Sequence, residues 1–294
     1  MYEDIKKNKM KTGIIVFGFL TMITLIIYYI CNAFGYSEYS IIIALIFSII
    51  STVATYYNCD KVVLASVRAR PATREEDLQL TNILEGLMIT SGLTNKPRLY
   101  VVDSMQPNAF ATGGNPENAV VCVTRGLIEK LNYYELEGVV AHELAHIKNY
   151  DIMVSAVVSV MAGFVVMLSD WFLRVTFRRR SDDDDNANPI VMIIGLICLI
   201  VSPIVSQLIQ LAVSRRREYL ADATAVSFTR NPDGLISALR KISSDDTTMD
   251  TASESSAHMF IVTPFKNKRK AEKSSLFSTH PAIDERIQAI ENLK

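Results

Sequence analysis

The chain has 294 residues, of which 49% are hydrophobic, and its 30 basic residues nearly balance its 31 acidic ones. A net charge of −1 gives no reason to expect a nucleic-acid partner. The hydrophobic residues are concentrated in long stretches with few or no charges, so a lipid bilayer is the expected environment of part of the chain.

Four hydrophobic stretches are each long enough, or nearly so, to cross a hydrocarbon core of about 30 Å as a helix. They are residues 13–34, 40–57, 152–172 and 189–214. The first follows several lysines, as a signal peptide does, but it is longer than a typical signal core and lacks a clear cleavage site. We therefore interpret it as an uncleaved anchor. The alternative for all four stretches is a buried helix of a soluble protein.

Lysine and arginine residues indicate which side of the membrane each connecting segment faces. Basic residues at the N-terminus, after the second stretch and after the fourth (Arg215–Arg217) place those segments on the cytoplasmic side. The loop at residues 33–39 contains neither lysine nor arginine, as expected of the opposite side. The basic loop around Arg178–Arg180 does not follow this rule, so it stays open whether the second hydrophobic hairpin crosses fully.

Residues between the second and third stretches have the pattern of an α+β unit. Thr73-Arg74-Glu75-Glu76 predicts the capped start of a helix, and an apolar face continues it to Met88. Apolar, β-branched runs separated by a glycine-rich turn predict a small sheet with strands over 98–103, 108–112 and 119–124. A short helix over 126–131 and a longer one over 134–148 complete the unit.

The longer of these helices contains His142-Glu143-Leu144-Ala145-His146, an H-E-x-x-H motif. Residues four apart lie on one face of a helix, so both imidazoles can bind one metal ion and Glu143 can reach a water beside it. Two neutral imidazoles suit Zn²⁺, and a catalytic zinc usually has three protein ligands and an open position. The alternative, a pair of ordinary surface histidines, is an improbable coincidence in a chain with four histidines.

A third zinc ligand has to come from another part of the chain. The candidates are His258, His280 and the acidic residues after the fourth stretch, of which Glu218 is the strongest. Glu218 and Asp222 share one face of a predicted helix, so one carboxylate can bind zinc while the other accepts the free ring N–H of a ligating histidine. The alternative is a solvated, charged helix end.

Together these segments resemble the HtpX membrane zinc endopeptidases, which are relatives of the CAAX prenyl endopeptidases. The resemblance covers nearly the whole chain. It rests on H-E-L-A-H-I-K-N-Y-D at 142–151, R-R-x-E-Y-x-A-D at 215–222, N-A-F-A-T-G at 108–113, A-H-M-F-I at 257–261 and T-H-P-A-I-D-E-R-I at 279–287. It implies one zinc ion per chain, held by His142, His146 and Glu218, with Glu143 as general base and Asp222 supporting a ligand.

The resemblance also implies a gluzincin-like α+β protease domain on a helical membrane anchor. Its predicted parts are a transmembrane hairpin at 1–60, the first part of the protease domain at 61–151, a second hydrophobic hairpin at 152–214 and the rest of the domain at 215–294. The implied activity is proteolysis of misfolded or damaged membrane proteins, with unfolded polypeptides and the bilayer as partners. The implied location is the cell membrane, with the catalytic domain facing the cytoplasm. The oligomeric state stays undetermined.

Three further residues are candidates for contact with the substrate, and two others are expected to have supporting or structural roles. Asn108 and Ala109 are expected on an edge strand, where an extended polypeptide can add by main-chain hydrogen bonds; a strand covered by a loop is the alternative. The resemblance suggests that His280 lies near the cleft, where it can donate to the developing oxyanion, unless it is a buried structural residue. Arg286 can support His280 or bind Asp222, and His258 is expected to be structural.

Two other functions remain open at this point. A CAAX-type prenyl protease would use the same metal chemistry, but four spans leave little room for an enclosed lipid-binding chamber. A non-catalytic membrane scaffold with a structural zinc normally needs four protein ligands, and three are evident here.

Overall fold

The structure is a computed structural model that describes residues 2–33, 39–163, 215–250, 252, 256–265 and 281–294. Within these ranges the helices are α1 (Tyr2–Ala33), α2 (Ser40–Ser66), α3 (Arg74–Ser91), α4 (Arg125–Lys130), α5 (Tyr133–Lys148), α6 (Asp151–Gly163), α7 (Arg215–Thr229), α8 (Pro232–Ser244) and α9 (Ile283–Glu291). The strands are β1 (Arg70–Pro71), β2 (Arg98–Val102), β3 (Ala109–Thr112) and β4 (Val120–Thr124).

The first two helices form the predicted apolar hairpin. Over Asn8–Tyr28, α1 is long and apolar enough to cross a membrane. Helix α2 bends by 69° between Ile41–Ala54 and Tyr57–Ser66, and the two parts pass the same test only as one broken span. Asn58, near the start of the second part, has a backbone conformation outside the helical region. A hydrogen bond of 2.7 Å between Thr24 and Ser48 joins the two helices.

The described residues therefore support one membrane-crossing helix, or two if the bent helix is counted, against the four spans expected from the sequence. The third expected span begins in α6, which is apolar but short over its described length. The remainder of that stretch, from residue 164, and the whole fourth stretch lie outside the described residues.

The sheet is mixed and has the strand order β1-β2-β4-β3. Strands β2 and β4 are parallel, and β1 and β3 pair antiparallel with them at the two edges. The three strands expected from the sequence are confirmed, with ends that differ by one residue. Strand β1 was not expected, because a two-residue strand that ends in Pro71 has no alternating pattern to recognise.

Both faces of the sheet are covered. Apolar residues of α3, α5, α7, α8 and α9 pack on one face and form the main core. Val63 and Leu64 in the last turns of α2, and Val67 directly after it, cover the other face together with Phe260. Residues from either side of the 152–214 segment therefore share one core, which brings the H-E-x-x-H helix against α7. Helix α6 packs on α1 through a smaller apolar cluster.

Candidate metal centre

Helix α5 carries the H-E-x-x-H motif and is fixed at both ends. A capping box of Asn132 and Glu135 starts it, and the Glu135 carboxylate also accepts hydrogen bonds from Ser237 and Lys241 of α8. Gly138 allows α8 to approach, since a Cβ at this position would lie 2.9 Å from a backbone atom of α8. At the far end, Lys148 donates to the carbonyl of the last residue of α3. The motif therefore sits on a rigid element.

Three predicted ligands converge between α5 and α7. The Nε2 atoms of His142 and His146 are 3.2 Å apart. The two oxygens of the Glu218 carboxylate lie 3.7 Å from the first of these nitrogens and 3.6 Å from the second. The candidate ligand atoms all lie within 4.8 Å of one another, and the described residues contain no other such group of histidine, cysteine and acidic side chains.

Each histidine of this group is held by a carboxylate through its other ring nitrogen. His142 Nδ1 lies 3.0 Å from Asp222, and His146 Nδ1 lies 3.0 Å from Asp151. A ring that donates from Nδ1 leaves its Nε2 lone pair free, and both Nε2 atoms face Glu218. Two imidazole nitrogens and one carboxylate, oriented in this way, are a donor set that fits Zn²⁺.

Asp151 was not singled out from the sequence, although it ends the quoted motif H-E-L-A-H-I-K-N-Y-D. Its hydrogen bond to His146 mirrors that of Asp222 to His142. The chain turns sharply between α5 and α6, so Asp151 comes back beside His146 although it lies in the next helix. Helical spacing alone gave no signal for it, because the two residues are not on one continuous helix.

Arg286 lies in the same buried cluster. It donates two hydrogen bonds of 2.6 and 2.8 Å to Asp222, one of its two candidate partners; the other, His280, lies outside the described residues. Its Nη1 is also 3.6 Å from Glu218. Burial opposes the charged form of Asp222, but Arg286 and His142 outweigh this effect and lower the pKa of the carboxyl. The cluster therefore keeps a negative charge behind His142.

A pocket opens on the ligand side of the site. Its polar wall includes the ligands, Glu143, Asp151 and Arg217, and its apolar wall includes Ile152, Met259, Phe260 and Ile261. His258, which was expected to be structural, also lines this pocket. Its Nε2 is 3.4 Å from the Ser159 hydroxyl and from the Ser155 carbonyl of α6. His280 lies outside the described residues, and its role stays a prediction.

Asn108 and Ala109 are buried and covered by a loop, which was the alternative to an open edge at these residues. The Asn108 amide donates to the carbonyl of Val262 at 2.8 Å, and the Ala109 carbonyl accepts from the Ile261 N–H at 3.3 Å. The β3–β4 register turns every second residue of β3 outward, so the main chain of Ala111 also points away from β4. Ala111 is buried but lines the pocket, so the part of the β3 edge that reaches the pocket lies two residues further along the strand than expected.

Comparison with known proteins identifies the chain. Residues 74–294 match the profile of Peptidase family M48. The chain belongs to peptidase family M48. Protease HtpX homologs from Dictyoglomus thermophilum and Thermoanaerobacter pseudethanolicus are each 42% identical to it, over 98% and 100% of this chain and 93% and 98% of theirs. A Protease HtpX homolog from Listeria monocytogenes is 39% identical over the full length of both chains. The resemblance read from the motifs is confirmed.

The fold of this M48 protein also resembles a solved structure. The crystal structure of S. mikatae Ste24p aligns with a TM-score of 0.52 and 16% sequence identity, over 99% of this chain and 67% of that one. At this identity the likeness concerns the fold. The helical part with its small mixed sheet is therefore an M48 peptidase fold.

The acid–base properties of the M48 site follow from its burial. Burial raises the pKa of Glu143, and the neighbouring imidazoles of His142 and His146 only partly offset this effect. A carboxyl whose pKa is raised toward neutrality is a better general base than an exposed one. Burial also opposes the charge of His146, but its hydrogen bond to Asp151 and the charge of Glu218 raise its pKa to about 9. A metal ion that binds at neutral pH therefore displaces a proton from this ring.

Proposed function

We propose that this protein is a membrane-anchored, zinc-dependent endopeptidase that hydrolyses peptide bonds of misfolded or damaged membrane proteins. The observation that carries the proposal is the convergence of His142, His146 and Glu218 beside the buried Glu143. Membership of family M48 and the relatives named Protease HtpX homolog support the same activity. The donor set favours zinc among the metal ions, and one ion per chain is expected.

The residues divide the chemistry among them. His142, His146 and Glu218 would hold the zinc ion, which would supply Lewis acidity to the scissile carbonyl and to the attacking water. Glu143 accepts the proton of the attacking water and then delivers it to the leaving amine. Asp222 and Asp151 hold the Nδ1–H groups of His142 and His146, which keeps both rings oriented. His280 stays the proposed second donor to the carbonyl oxygen.

The substrate is expected to bind as an extended strand. The outward main chain of Ala111 faces the pocket and offers an N–H and a C=O beside the metal site. Recognition through the main chain depends little on side chains, which suits a protease of misfolded polypeptides. The Ile261 N–H already donates to the Ala109 carbonyl. A substrate strand can therefore pair with Asn108 and Ala109 only if the loop that contains Ile261 moves.

The site is expected close to the membrane, on its cytoplasmic side. His146 lies near the start of α6, which is apolar and packs on the membrane-length helix α1. Basic residues flank the hydrophobic stretches on the side of the protease domain, and the positive-inside rule places that side in the cytoplasm. Loops and termini of membrane proteins are then the natural substrates.

Cleavage of prenylated proteins is the second candidate. The fold likeness to Ste24p, a CAAX protease, supports it only weakly, because the sequence identity is 16% and 67% of that longer chain is covered. The full-length similarity to relatives named Protease HtpX homolog favours the first candidate.

The decisive experiment compares three variants of the purified, detergent-solubilised protein. Glu143→Gln is expected to keep zinc and to lose cleavage of casein by about 100-fold or more, because glutamine cannot accept the proton. Glu218→Ala is expected to lose both zinc and activity. Glu137→Gln makes the same chemical change on α5 away from the pocket, and it serves as the control with unchanged activity.

Three results would count against the proposal. Near wild-type cleavage by Glu143→Gln would remove Glu143 from the role of base. Full zinc retention by Glu218→Ala would place the third ligand elsewhere. Cleavage of a farnesylated CAAX peptide in preference to casein and unfolded membrane proteins would favour the second candidate.

A further inference from the structure

Asn8 is a polar side chain that is buried in an unusual place. It lies at the start of the apolar part of α1, between lysines, and only 4% of its surface is exposed. Its neighbour Met10, in the same turn, is 60% exposed. Burying an amide costs free energy unless it is hydrogen-bonded, and a membrane anchor has no need of a buried amide here. We therefore expect Asn8 to have a hydrogen-bond partner within the protein.

The partners of Asn8 belong to the corner between the metal helix and α6. The Asn8 Nδ2 donates to the carbonyl of Asn149 at 2.9 Å and to the Asp151 carboxylate at 2.7 Å. Between these two residues, Tyr150 has a φ of 59°, in the left-handed region that non-glycine residues seldom adopt. Lys9 covers the Tyr150 ring at 4.4 Å from its centroid. Asn8 and Lys9 of α1 therefore hold the turn between α5 and α6, in which Tyr150 has a strained backbone conformation.

The same corner orients a metal ligand. Asp151 uses one oxygen for Asn8 and the other for His146 Nδ1, at 3.0 Å. Arg217 adds a weaker contact of 3.4 Å to the oxygen that Asn8 binds. Because the Asn8 bond fixes the rotation of the carboxylate, it fixes the acceptor that holds the His146 ring. The path from α1 to the metal site consists of two hydrogen bonds.

We propose that Asn8 is a positioning residue for the zinc ligand His146, so that the first helix completes the metal site as well as anchoring the chain. This inference rests on the proposed zinc-dependent function. Asn8 acts through Asp151: its amide donates to one carboxylate oxygen of Asp151 and so holds the other oxygen toward His146. Outer partners of metal ligands commonly change metal affinity by about 10–100-fold when they are removed.

The test uses the full-length protein in detergent with two changes at one position. Asn8→Asp is isosteric but places a second carboxylate against Asp151, whereas Asn8→Ala removes the donor without adding charge. Met10→Ala, on the exposed side of the same turn, is the matched control. The measurements are zinc affinity by chelator competition, the absorption spectrum of the cobalt-substituted protein and the thermal unfolding of the metal-free protein.

We expect the wild type and Met10→Ala to bind one zinc ion with equal affinity. Both Asn8 variants are expected to bind it about tenfold or more weakly, because Asp151 no longer holds His146 in one orientation. The cobalt spectrum of Asn8→Asp is expected to shift, since it reports the geometry of the ligands. If Asn8→Asp does not fold, Asn8→Ala carries the test.

Wild-type zinc affinity and an unchanged cobalt spectrum in the folded Asn8 variants would overturn the inference. This holds even if they unfold at a lower temperature, because Asn8 would then only fasten α1 to the domain. Failure of the proposed function has a different signature: the wild type itself would hold no zinc, and the inference would fall with it.

Discussion

Two arginine–carboxylate clusters in this protein use the same chemistry in opposite surroundings. Arg286 donates two hydrogen bonds to Asp222 beside the metal site, where both side chains are buried. Arg70 donates to Glu76 at 2.9 Å and to Asp103 at 2.7 Å at the β1 edge of the sheet. There the Asp103 side chain is 58% exposed, and water reaches the cluster.

Burial decides what each cluster contributes. In the buried cluster a charge that loses its partner stays without water, and breaking such a pair commonly costs about 3–5 kcal/mol. In the exposed cluster water and salt replace a lost partner, and pairs of this kind contribute about 0–1 kcal/mol. The buried pair therefore determines the charge behind His142, a proposed metal ligand, whereas the exposed cluster only ties β1 to the start of α3.

The largest expected effect comes from Arg286→Met, which keeps the volume and removes the charge. We expect the free energy of unfolding to fall by about 3–5 kcal/mol, because Asp222 stays buried without its cation. Denaturant unfolding in detergent measures this change. Arg240→Met is the control, since Arg240 is exposed and its pair with Glu291 is too. Equal losses of unfolding free energy in the two variants would show that burial does not set the contribution of an arginine–carboxylate pair.

A smaller effect is expected from Asp222→Asn. The amide oxygen still accepts the His142 Nδ1–H, but it carries no charge to balance Arg286 or to make the ring more basic. Zinc affinity, measured by chelator competition, is expected to fall by about 10–100-fold. Asp233→Asn makes the same change at an exposed position and is expected to leave the affinity unchanged. An unchanged affinity in Asp222→Asn would show that the shape of this residue matters and its charge does not.

The smallest effect is expected from Arg70→Ala, with a loss below about 1 kcal/mol at pH 7. The hydrogen bond from Arg70 is the main cause that lowers the pKa of Glu76 from 4.5 to about 2. The stabilisation is therefore fully present above pH 4.5, and it is lost as the pH falls toward 2. Unfolding curves of the variant and the wild type should converge over this range. A difference that stays constant from pH 6 to pH 2 would contradict the assignment.

Local spacing in the sequence determined several features correctly. Thr73 and Glu76 form the expected capping box, and the three strands lie where alternating apolar runs predicted them. The H-E-x-x-H spacing placed two imidazoles on one face of α5, and the spacing of Glu218 and Asp222 placed both carboxylates on one face of α7. These features depend on residues at most four apart, so the geometry of one helix or turn is sufficient to predict them.

The tertiary structure alone decided which distant side chains complete the site. Arg286 and Asp222 are 64 residues apart, and Asn8 and Asp151 are 143 apart. Val262, which covers the start of β3, is 154 residues from Asn108. Helical and strand periodicities say which face of an element is buried but not which other element meets it. The partner of Arg286, the role of Asp151 and the covered edge of β3 therefore became visible only when the packed elements brought these residues together.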